Sequence, residues 1–234
     1  MTGRVVLVTG GNRGIGRSIA QAFADNGDRV AITYREKPAE DFLGVRCDVT
    51  SAEQVDAAFA EIEKELGPVE VLVSNAGINA DQLLLSMKED AWLSVIDANL
   101  NGAYRVARRA TSKMIRARKG RIIFISSVVG LLGSPGQTNY AASKAGLVGL
   151  ARSLAREIGG RGVTVNVVAP GFVTTDMTAA LPEERQAEIL EQVPLKRMAS
   201  PEEIAATVLF LASDQAGYVT GALIPVDGGL GMGH

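Results

Sequence analysis

Residues 5–16 read VVLVTGGNRGIG, and residues 17–23 continue as RSIAQAF. A short β-branched run breaks into glycines and then into a helical pattern, which predicts a strand, a tight turn and a helix. Gly10 can adopt the turn conformation, Gly14 lets a phosphate approach the backbone, and Gly16 lets the helix pack closely on the strand. Free N–H groups at the helix N-terminus favour an anion. The segment therefore predicts a site for the pyrophosphate of a dinucleotide.

The rest of the chain alternates apolar runs with helical patterns. Further candidate strands are residues 30–34, 44–47, 69–74, 121–126, 164–169 and 222–226, and candidate helices are residues 14–26, 52–66, 89–118, 140–159 and 201–212. Such alternation predicts a parallel sheet with helices on both faces. We predict a doubly wound α/β fold of the Rossmann type, a single domain over residues 1–234, and a substrate lid at about residues 174–195.

Composition excludes several classes of protein. With 234 residues and 47% hydrophobic composition, the chain can fill one core, and a net charge of −2 gives no general attraction to nucleic acid or anionic lipid. Cys47 is the only cysteine and His234 the only histidine. A disulfide, a histidine-based nucleophile and a histidine-ligated metal are therefore not expected. The sequence predicts no signal peptide and no membrane span, so we expect a cytoplasmic protein without a metal.

Tyr140 and Lys144 are four positions apart in the run NYAASK at residues 139–144, so they share one face of a predicted helix. A nearby ammonium favours the phenolate, and we therefore expect a lowered pKa for the Tyr140 phenol, which would suit a proton donor. If a Tyr/Lys pair with this spacing stood alone, the alternative interpretation would be a solvated helix face. Ser127 follows the apolar run at residues 122–125, where a buried strand would open into a site. Ser126 is the rival hydroxyl.

Five features occur in a characteristic order: Thr9 with the glycine turn, residues 75–77 (NAG), Ser127, the Tyr140/Lys144 pair, and residues 170–171 (PG). Together they resemble the short-chain dehydrogenase/reductase family over essentially the whole chain. Within it the chain is most similar to 3-oxoacyl-(acyl-carrier-protein) reductases of dissociated fatty acid synthesis. Residues 10–16, 137–146, 166–172 and 225–229 carry this likeness, and residues 43–50 resemble the branch with the mycolic-acid-pathway ketoreductase.

The resemblance implies roles for four side chains. Tyr140 would protonate a carbonyl oxygen while NADPH delivers hydride to the carbon. Lys144 would lower the pKa of Tyr140 and hold the nicotinamide ribose. Ser127 would hydrogen-bond the substrate oxygen, since its thirteen-residue spacing to the tyrosine matches the family and that of Ser126 does not. Asn99 would anchor a proton-relay water against a bent helix.

Cofactor choice depends on charge near the adenine ribose. Arg35 follows the second strand, where NAD enzymes place an acid, and Arg13 lies in the glycine turn, so two guanidiniums favour NADPH. Glu36 could instead bind a ribose diol, which leaves NADH open. The residues expected to contact the cofactor are Gly10, Asn12, Arg13, Gly14, Ile15, Gly16, Arg35, Asp48, Val49, Asn75, Ala76, Gly77, Tyr140, Lys144, Pro170, Gly171 and Val173.

Residues 116–121 contain four cations, which is also the composition of an ordinary solvated helix end. The resemblance makes Arg118 and Arg161 docking residues for acyl carrier protein, whose acidic surface a local basic patch could steer. It also implies a homotetramer, and the small residues in the predicted helix 140–159 would allow close helix approach.

These observations predict NADPH-dependent reduction of a 3-oxoacyl thioester to the 3-hydroxyacyl thioester in fatty acid biosynthesis. One alternative is a ketoreductase of the same family that acts on a polyketide, steroid or polyol carbonyl. Another is a dinucleotide-binding regulator or scaffold without turnover. The set Ser127, Tyr140, Lys144 and Asn99 argues against the last of these.

Overall fold

The computed structural model describes residues 3–38, 41–175 and 183–232. Its strands are β1 (Val5–Val8), β2 (Arg29–Tyr34), β3 (Leu43–Arg46), β4 (Val71–Ser74), β5 (Gly120–Ile125), β6 (Val163–Pro170) and β7 (Leu223–Val226). They form one sheet in the order β3-β2-β1-β4-β5-β6-β7, and every neighbouring pair is parallel. The direction of winding reverses between β1 and β4. The predicted doubly wound fold is confirmed.

The helices of the described residues are α1 (Gly14–Asp25), α2 (Ala52–Leu66), α3 (Glu89–Ile96), α4 (Gly102–Ala117), α5 (Val129–Leu132), α6 (Thr138–Ile158), α7 (Glu183–Gln192) and α8 (Pro201–Ala212). Short 3₁₀ segments lie at Leu84–Ser86, Gly159–Arg161 and Asp214–Ala216. None of the helices in this part of the chain is long and apolar enough to cross a membrane.

The sheet is buried on both faces. In β1, Val5 and Leu7 join a core cluster with α2, α4 and α6, whereas Val6 and Val8 join a second cluster with α1 and α8. Because successive strand residues point to opposite faces, each face of β1 needs an apolar side chain at every second position. This explains why the strand sequences are continuous apolar runs without polar alternation.

The predicted helix at residues 89–118 is not one regular helix, which corrects the sequence-based prediction. A π-helical turn at Asp97–Asn101 separates α3 from α4, and the backbone N–H of Gly102 donates to the carbonyl of Asp97, five residues back. Gly102 sits against Val49, because a Cβ on it would lie 2.7 Å from the Val49 Cγ2. The π turn brings the side chain of Asn99 into the interior.

The predicted lid at residues 174–195 falls partly outside the described residues, since 176–182 are not among them. Its second half contains α7, which begins at Glu183. After α7, Leu195 donates its backbone N–H to Gly228 at 3.2 Å, so the chain returns to the segment that follows β7.

Candidate active site

The loops that leave β1, β4, β5 and β6 meet at the carboxyl edge of the sheet. Thr9 donates its backbone N–H to Val73 at 3.0 Å, and Ser126 donates its own to Val168 at 2.7 Å. In doubly wound folds, ligands bind at this edge and near the point where the strand order reverses. The predicted site residues lie on these loops, on the segments after β2 and β3, in the π turn and at the start of α6.

The glycine turn after β1 has the geometry that the sequence predicts. Gly10 and Gly14 have φ angles of 63° and 53°, in the left-handed region that favours glycine. A Cβ on Gly16 would lie 2.4 Å from the Gly10 carbonyl oxygen, so this helix position accepts only glycine. At Gly14, chain neighbours and the helix backbone aside, the only atom of the described residues within 4 Å of a Cβ would be the Thr175 Cγ2, at 3.8 Å. As far as the described residues extend, open space therefore adjoins the N-terminus of α1, beside Arg13 and Ile15.

Asn75 holds the glycine turn against β4. Its Nδ2 donates to the carbonyls of Thr9 and Gly10 at 3.0 and 3.1 Å. The Thr9 hydroxyl oxygen in turn accepts the backbone N–H groups of Asn75 and Ala76 at 3.0 and 3.1 Å. Gly77 follows directly, and a Cβ there would lie 3.0 Å from the Asn99 Oδ1 and 3.5 Å from the Lys144 Nζ. The NAG segment thus links the glycine turn to Asn99 and Lys144.

The side chains predicted to contact the adenosine lie around the ends of β2 and β3. Arg35 is exposed and pairs with Glu36 at 3.0 Å. Asn12 in the glycine turn donates to the carbonyl of Lys37 at 3.1 Å, which ties the turn to the segment after β2. The Asp48 carboxylate accepts both the N–H and the hydroxyl of Thr50, at 2.9 and 2.8 Å. Val49 is buried beside it.

Tyr140, Lys144 and Ser127 come together as predicted. Lys144 is buried, donates from Nζ to the carbonyl of Ile125 at 2.9 Å, and lies 5.5 Å from the centroid of the Tyr140 ring. The Ser127 hydroxyl lies near the Tyr140 phenol and lowers the pKa of that phenol. The hydroxyl of Ser126 is instead buried and donates to the Lys144 carbonyl at 2.8 Å, so it fixes the start of α6 rather than facing the phenol.

The expected lowering of the Tyr140 pKa is wrong for this structure. Burial is the largest cause and raises the pKa of Tyr140, the Ser127 hydroxyl lowers it, and the Asp81 carboxylate raises it. Burial also lowers the pKa of Lys144, from 10.5 to about 8. The Lys144 ammonium donates to the Ile125 carbonyl and is itself disfavoured by desolvation, and burial is what determines the direction of the Tyr140 pKa shift.

Asn99 connects the π turn to the loop after β4 and to α6. Its Oδ1 accepts the backbone N–H of Ile78 at 2.8 Å, and its Nδ2 donates to the Ile78 carbonyl at 2.9 Å and to the Ser143 Oγ at 3.0 Å. Both amide hydrogens are used by protein atoms. Its predicted contact with a proton-relay water stays a prediction.

The loop after β6 closes the site on the remaining side. Pro170 accepts the backbone N–H of Val128 at 2.8 Å. Gly171 packs against Asp227, where a Cβ would lie 2.7 Å from the Asp227 Cα. Val173 is buried and pairs with Ala199 in an isolated parallel bridge. The backbone of residues 170–173 is thereby held beside the loop that carries Ser127.

The two predicted carrier-docking arginines lie together, but not beside Tyr140. Arg118 ends α4 in the left-handed region at φ 53°, and its guanidinium donates to the Gly160 carbonyl at 3.4 Å, next to the exposed Arg161. Arg118 lies just before the amino end of β5, and Arg161 lies just before the amino end of β6. Strands rise about 3.3 Å per residue, so β5 places them roughly 20 Å from the carboxyl edge where Ser127 lies.

Two residues near Tyr140 were missed by sequence reasoning. Asp81 accepts a hydrogen bond from the Gln137 Nε2 at 3.0 Å. Asn139 is fully buried directly before Tyr140. The signal for Asn139 was present, because it precedes Ser143 by one helical turn and both interrupt an otherwise apolar buried face.

A groove of about 760 Å³ between α1 and α8 includes Gly14 and Thr175 but not Tyr140, Lys144 or Ser127.

Comparison with known proteins gives consistent matches over nearly the whole chain. A family model described as enoyl-(acyl carrier protein) reductase matches residues 10–231. The 3-oxoacyl-[acyl-carrier-protein] reductase MabA of Mycobacterium tuberculosis (strain ATCC 25618 / H37Rv) is 56% identical over 232 residues, which cover 99% of this chain and 94% of that protein. The 3-oxoacyl-[acyl-carrier-protein] reductase FabG of Staphylococcus aureus (strain N315) is 48% identical over 239 residues, 97% of each chain.

Proposed function

Because the chain belongs to the short-chain dehydrogenase/reductase family, we propose that it reduces a 3-oxoacyl thioester on acyl carrier protein to the 3-hydroxyacyl thioester, with NADPH, in fatty acid biosynthesis. The observation that carries the proposal is the cluster of Ser127, Tyr140 and Lys144 at the carboxyl edge of the sheet, beside a glycine turn that suits a dinucleotide. A cytoplasmic location belongs to the same proposal.

The residues around the glycine turn fit a nicotinamide dinucleotide. The open space beside Gly14, at the N-terminus of α1, has backbone N–H groups and partial positive charge for a pyrophosphate. The residues that would hold the cofactor are those of the turn (Gly10, Asn12, Arg13, Gly14, Ile15, Gly16), those of the adenosine side (Arg35, Asp48, Val49, Asn75, Ala76, Gly77), and Tyr140, Lys144, Pro170, Gly171 and Val173. The chemistry that the nicotinamide supplies when bound is hydride transfer to the carbonyl carbon.

The protein's own residues then provide the proton and hold the carbonyl oxygen. Ser127 hydrogen-bonds that oxygen, and Tyr140 gives it the phenolic proton as charge develops. The phenol becomes a phenolate, which the Lys144 ammonium and the Ser127 hydroxyl stabilise until solvent returns the proton. The raised pKa of Tyr140 keeps the phenol protonated before reaction, and Lys144 with a pKa of about 8 is mostly charged at pH 7.

The proposed substrate is a ketone, whereas the family model that matches is described as an enoyl reductase. The assay that separates the two measures NADPH oxidation with acetoacetyl thioester, with a trans-2-butenoyl thioester and with a simple ketone that has no thioester. We expect the 3-oxoacyl thioester to be reduced fastest. Reduction of the enoyl thioester alone would refute the proposal. A preference for the simple ketone would favour a polyketide, steroid or polyol substrate.

Preference for NADPH over NADH is proposed to depend on Arg35. This side chain is exposed at the end of β2 and could face a 2′-phosphate. Arg35→Asp should lower the ratio of kcat/KM for NADPH to that for NADH at least about tenfold, since one lost charge-assisted contact is worth about 1.4 kcal/mol. The matched control is Lys64→Asp, the same change of charge at an exposed site on α2. An unchanged ratio would leave Arg13 as the discriminating residue.

Arg118 and Arg161 are proposed to guide acyl carrier protein. Reversing both to Glu should slow turnover of the carrier-bound substrate at least about tenfold and leave a small free thioester nearly unaffected, because both side chains lie at the opposite edge of the sheet from Tyr140. The wild-type rate with the carrier should also fall toward 0.5 M salt, where the Debye length is about 4 Å. Equal losses on both substrates would assign the arginines to folding or assembly.

A homotetramer is part of the proposal. Ala142, Ala145 and Gly149 are exposed along α6, and Tyr104 on α4 is half exposed. Small residues would let these helices pack closely against a second copy, and the edge strand β7 would provide another contact. Sedimentation at micromolar concentration should give about four times the mass of the chain. A monomer under those conditions would refute this assembly.

A further inference from the structure

Asn139 uses its amide to join three parts of the molecule. Its Oδ1 accepts the backbone N–H of Tyr140 at 2.8 Å, and its Nδ2 donates to the carbonyls of Ala80 and Ala91 at 3.0 and 3.2 Å. The side chain has no solvent exposure. Ala80 lies in the loop after β4 and Ala91 in the first turn of α3, so one buried side chain fixes the start of α6 to both.

A second buried polar residue lies one helical turn later. Ser143 donates from Oγ to the Tyr140 carbonyl at 2.7 Å and accepts from the Asn99 Nδ2 at 3.0 Å. Residues four apart share a helix face. Asn139 and Ser143 therefore face the interior together, and the reactive pair Tyr140 and Lys144 follows each of them by one residue, about 100° around the helix.

Few other contacts of this kind fix the first turn of α6. The side chain of its N-cap residue, Gln137, makes no capping hydrogen bond and donates to Asp81 instead. In the described structure the Thr138 hydroxyl has only a weak contact, 3.8 Å from the Met87 sulfur. Within this first turn, the two donors of Asn139 reach backbone carbonyls on two different elements, whereas Ser126 and Asn99 fix the second turn. Asn139 therefore fixes the rotation of the helix at the turn that carries Tyr140.

The rotation of α6 matters because the Tyr140 hydroxyl lies far from the helix axis. A tyrosine hydroxyl lies about 8 Å from the axis of its helix, so a rotation of about 7° would move the oxygen by about 1 Å. Displacements of that size reduce catalytic rates about 100-fold. We propose that Asn139 is a positioning residue, which sets the rotation of α6 and so holds the Tyr140 phenol against Ser127. The inference rests on the proposed function, since Tyr140 must be the proton donor.

The test compares Asn139→Leu, which keeps the branched shape of the side chain and removes all its hydrogen bonds, with Thr138→Ala as a matched control in the same turn. We expect Asn139→Leu to lower kcat for acetoacetyl thioester at least about 20-fold, with the Kd for NADPH changed less than threefold. Thr138→Ala should stay within twofold of wild type on both. The split between kcat and cofactor binding separates a positioning role from general damage, because partial unfolding would lower the stoichiometry of NADPH binding in proportion to the rate.

Several results would overturn the inference. One is a kcat within threefold of wild type for folded Asn139→Leu, and another is a loss of rate matched by the loss of NADPH-binding sites. If the leucine variant does not fold, Asn139→Asp can be tested instead. Its carboxyl group still accepts the backbone N–H of Tyr140, and when protonated it can donate one of the two hydrogen bonds that the amide made to Ala80 and Ala91. Its rate relative to wild type should then rise from pH 8 to pH 6, and a constant ratio would be evidence against positioning. An inactive wild type would instead refute the proposed function.

Discussion

Tyr140→Phe is expected to lower the reduction rate at least about 1,000-fold, because general acid catalysis by a positioned side chain contributes about 100- to 10,000-fold and no other proton donor of the described site faces Ser127. The Kd for NADPH should stay within about threefold of wild type, since the glycine turn is unchanged. Single-turnover NADPH oxidation gives the first quantity, and cofactor fluorescence gives the second.

The matched control is Tyr218→Phe, which removes a phenol from a fully exposed position after α8. Its rate should remain near wild type. The loss in Tyr140→Phe should appear in kcat and in kcat/KM alike, because the proton is needed only in the transition state. If Tyr140→Phe retained even a tenth of the wild-type rate, Tyr140 would not be the proton donor.

Lys144→Met is expected to separate activity from stability. Turnover should fall at least about 100-fold, and the Kd for NADPH should rise severalfold, because the ammonium would no longer stabilise the phenolate or hold the ribose. Lowering the pKa of a lysine from 10.5 to about 8 costs the folded protein about 3 kcal/mol at pH 7. Losing the bond to the Ile125 carbonyl costs about 1–2 kcal/mol. The variant should therefore be more stable at pH 7 by about 1–2 kcal/mol.

The pH dependence gives this prediction a second measurement. Between pH 8 and 10.5 the unfolded chain keeps the proton of Lys144 and the folded chain has lost it, so wild-type stability should rise with pH in that window. Lys144→Met should lack this rise, and its advantage should shrink by pH 10. Urea unfolding at pH 7 and pH 10 measures both free energies. A wild type that is the more stable protein at pH 7 would contradict the expected cost of the buried ammonium.

The strands and most helices could be predicted because local patterns determine them. The glycine turn after Val8 and the run from Ile122 to Ile125 have their predicted structures, since strands buried on both faces leave a continuous apolar signature. The grouping of Ser127, Tyr140 and Lys144 was also accessible, because parallel strands bring their carboxyl ends to one edge and helical spacing sets the pair.

Other features depend on tertiary contacts that no local pattern encodes. The π turn at Asp97–Asn101 interrupts a sequence whose periodicity indicates one helix, and it exists where Gly102 packs on Val49. The direction of the Tyr140 pKa shift follows from how deeply the phenol is buried, which spacing alone does not give. The spacing of Asn139 and Ser143 was visible in the sequence, but the partners of Asn139 were not, because they are backbone carbonyls 48 and 59 residues away.

The π turn also limits which changes of chain length this protein can tolerate. A π turn is equivalent to one residue inserted into an α-helix. Deleting any single residue between Asp97 and Asn101 would let α3 and α4 join as one regular helix, and would turn α3 by about 100° relative to α4. Asn99 hydrogen-bonds Ser143, and the Ala91 carbonyl hydrogen-bonds Asn139. After such a deletion these two contacts could not both be kept. Relatives that keep this catalytic arrangement should therefore align across residues 89–117 without a gap, even where neighbouring loops differ in length.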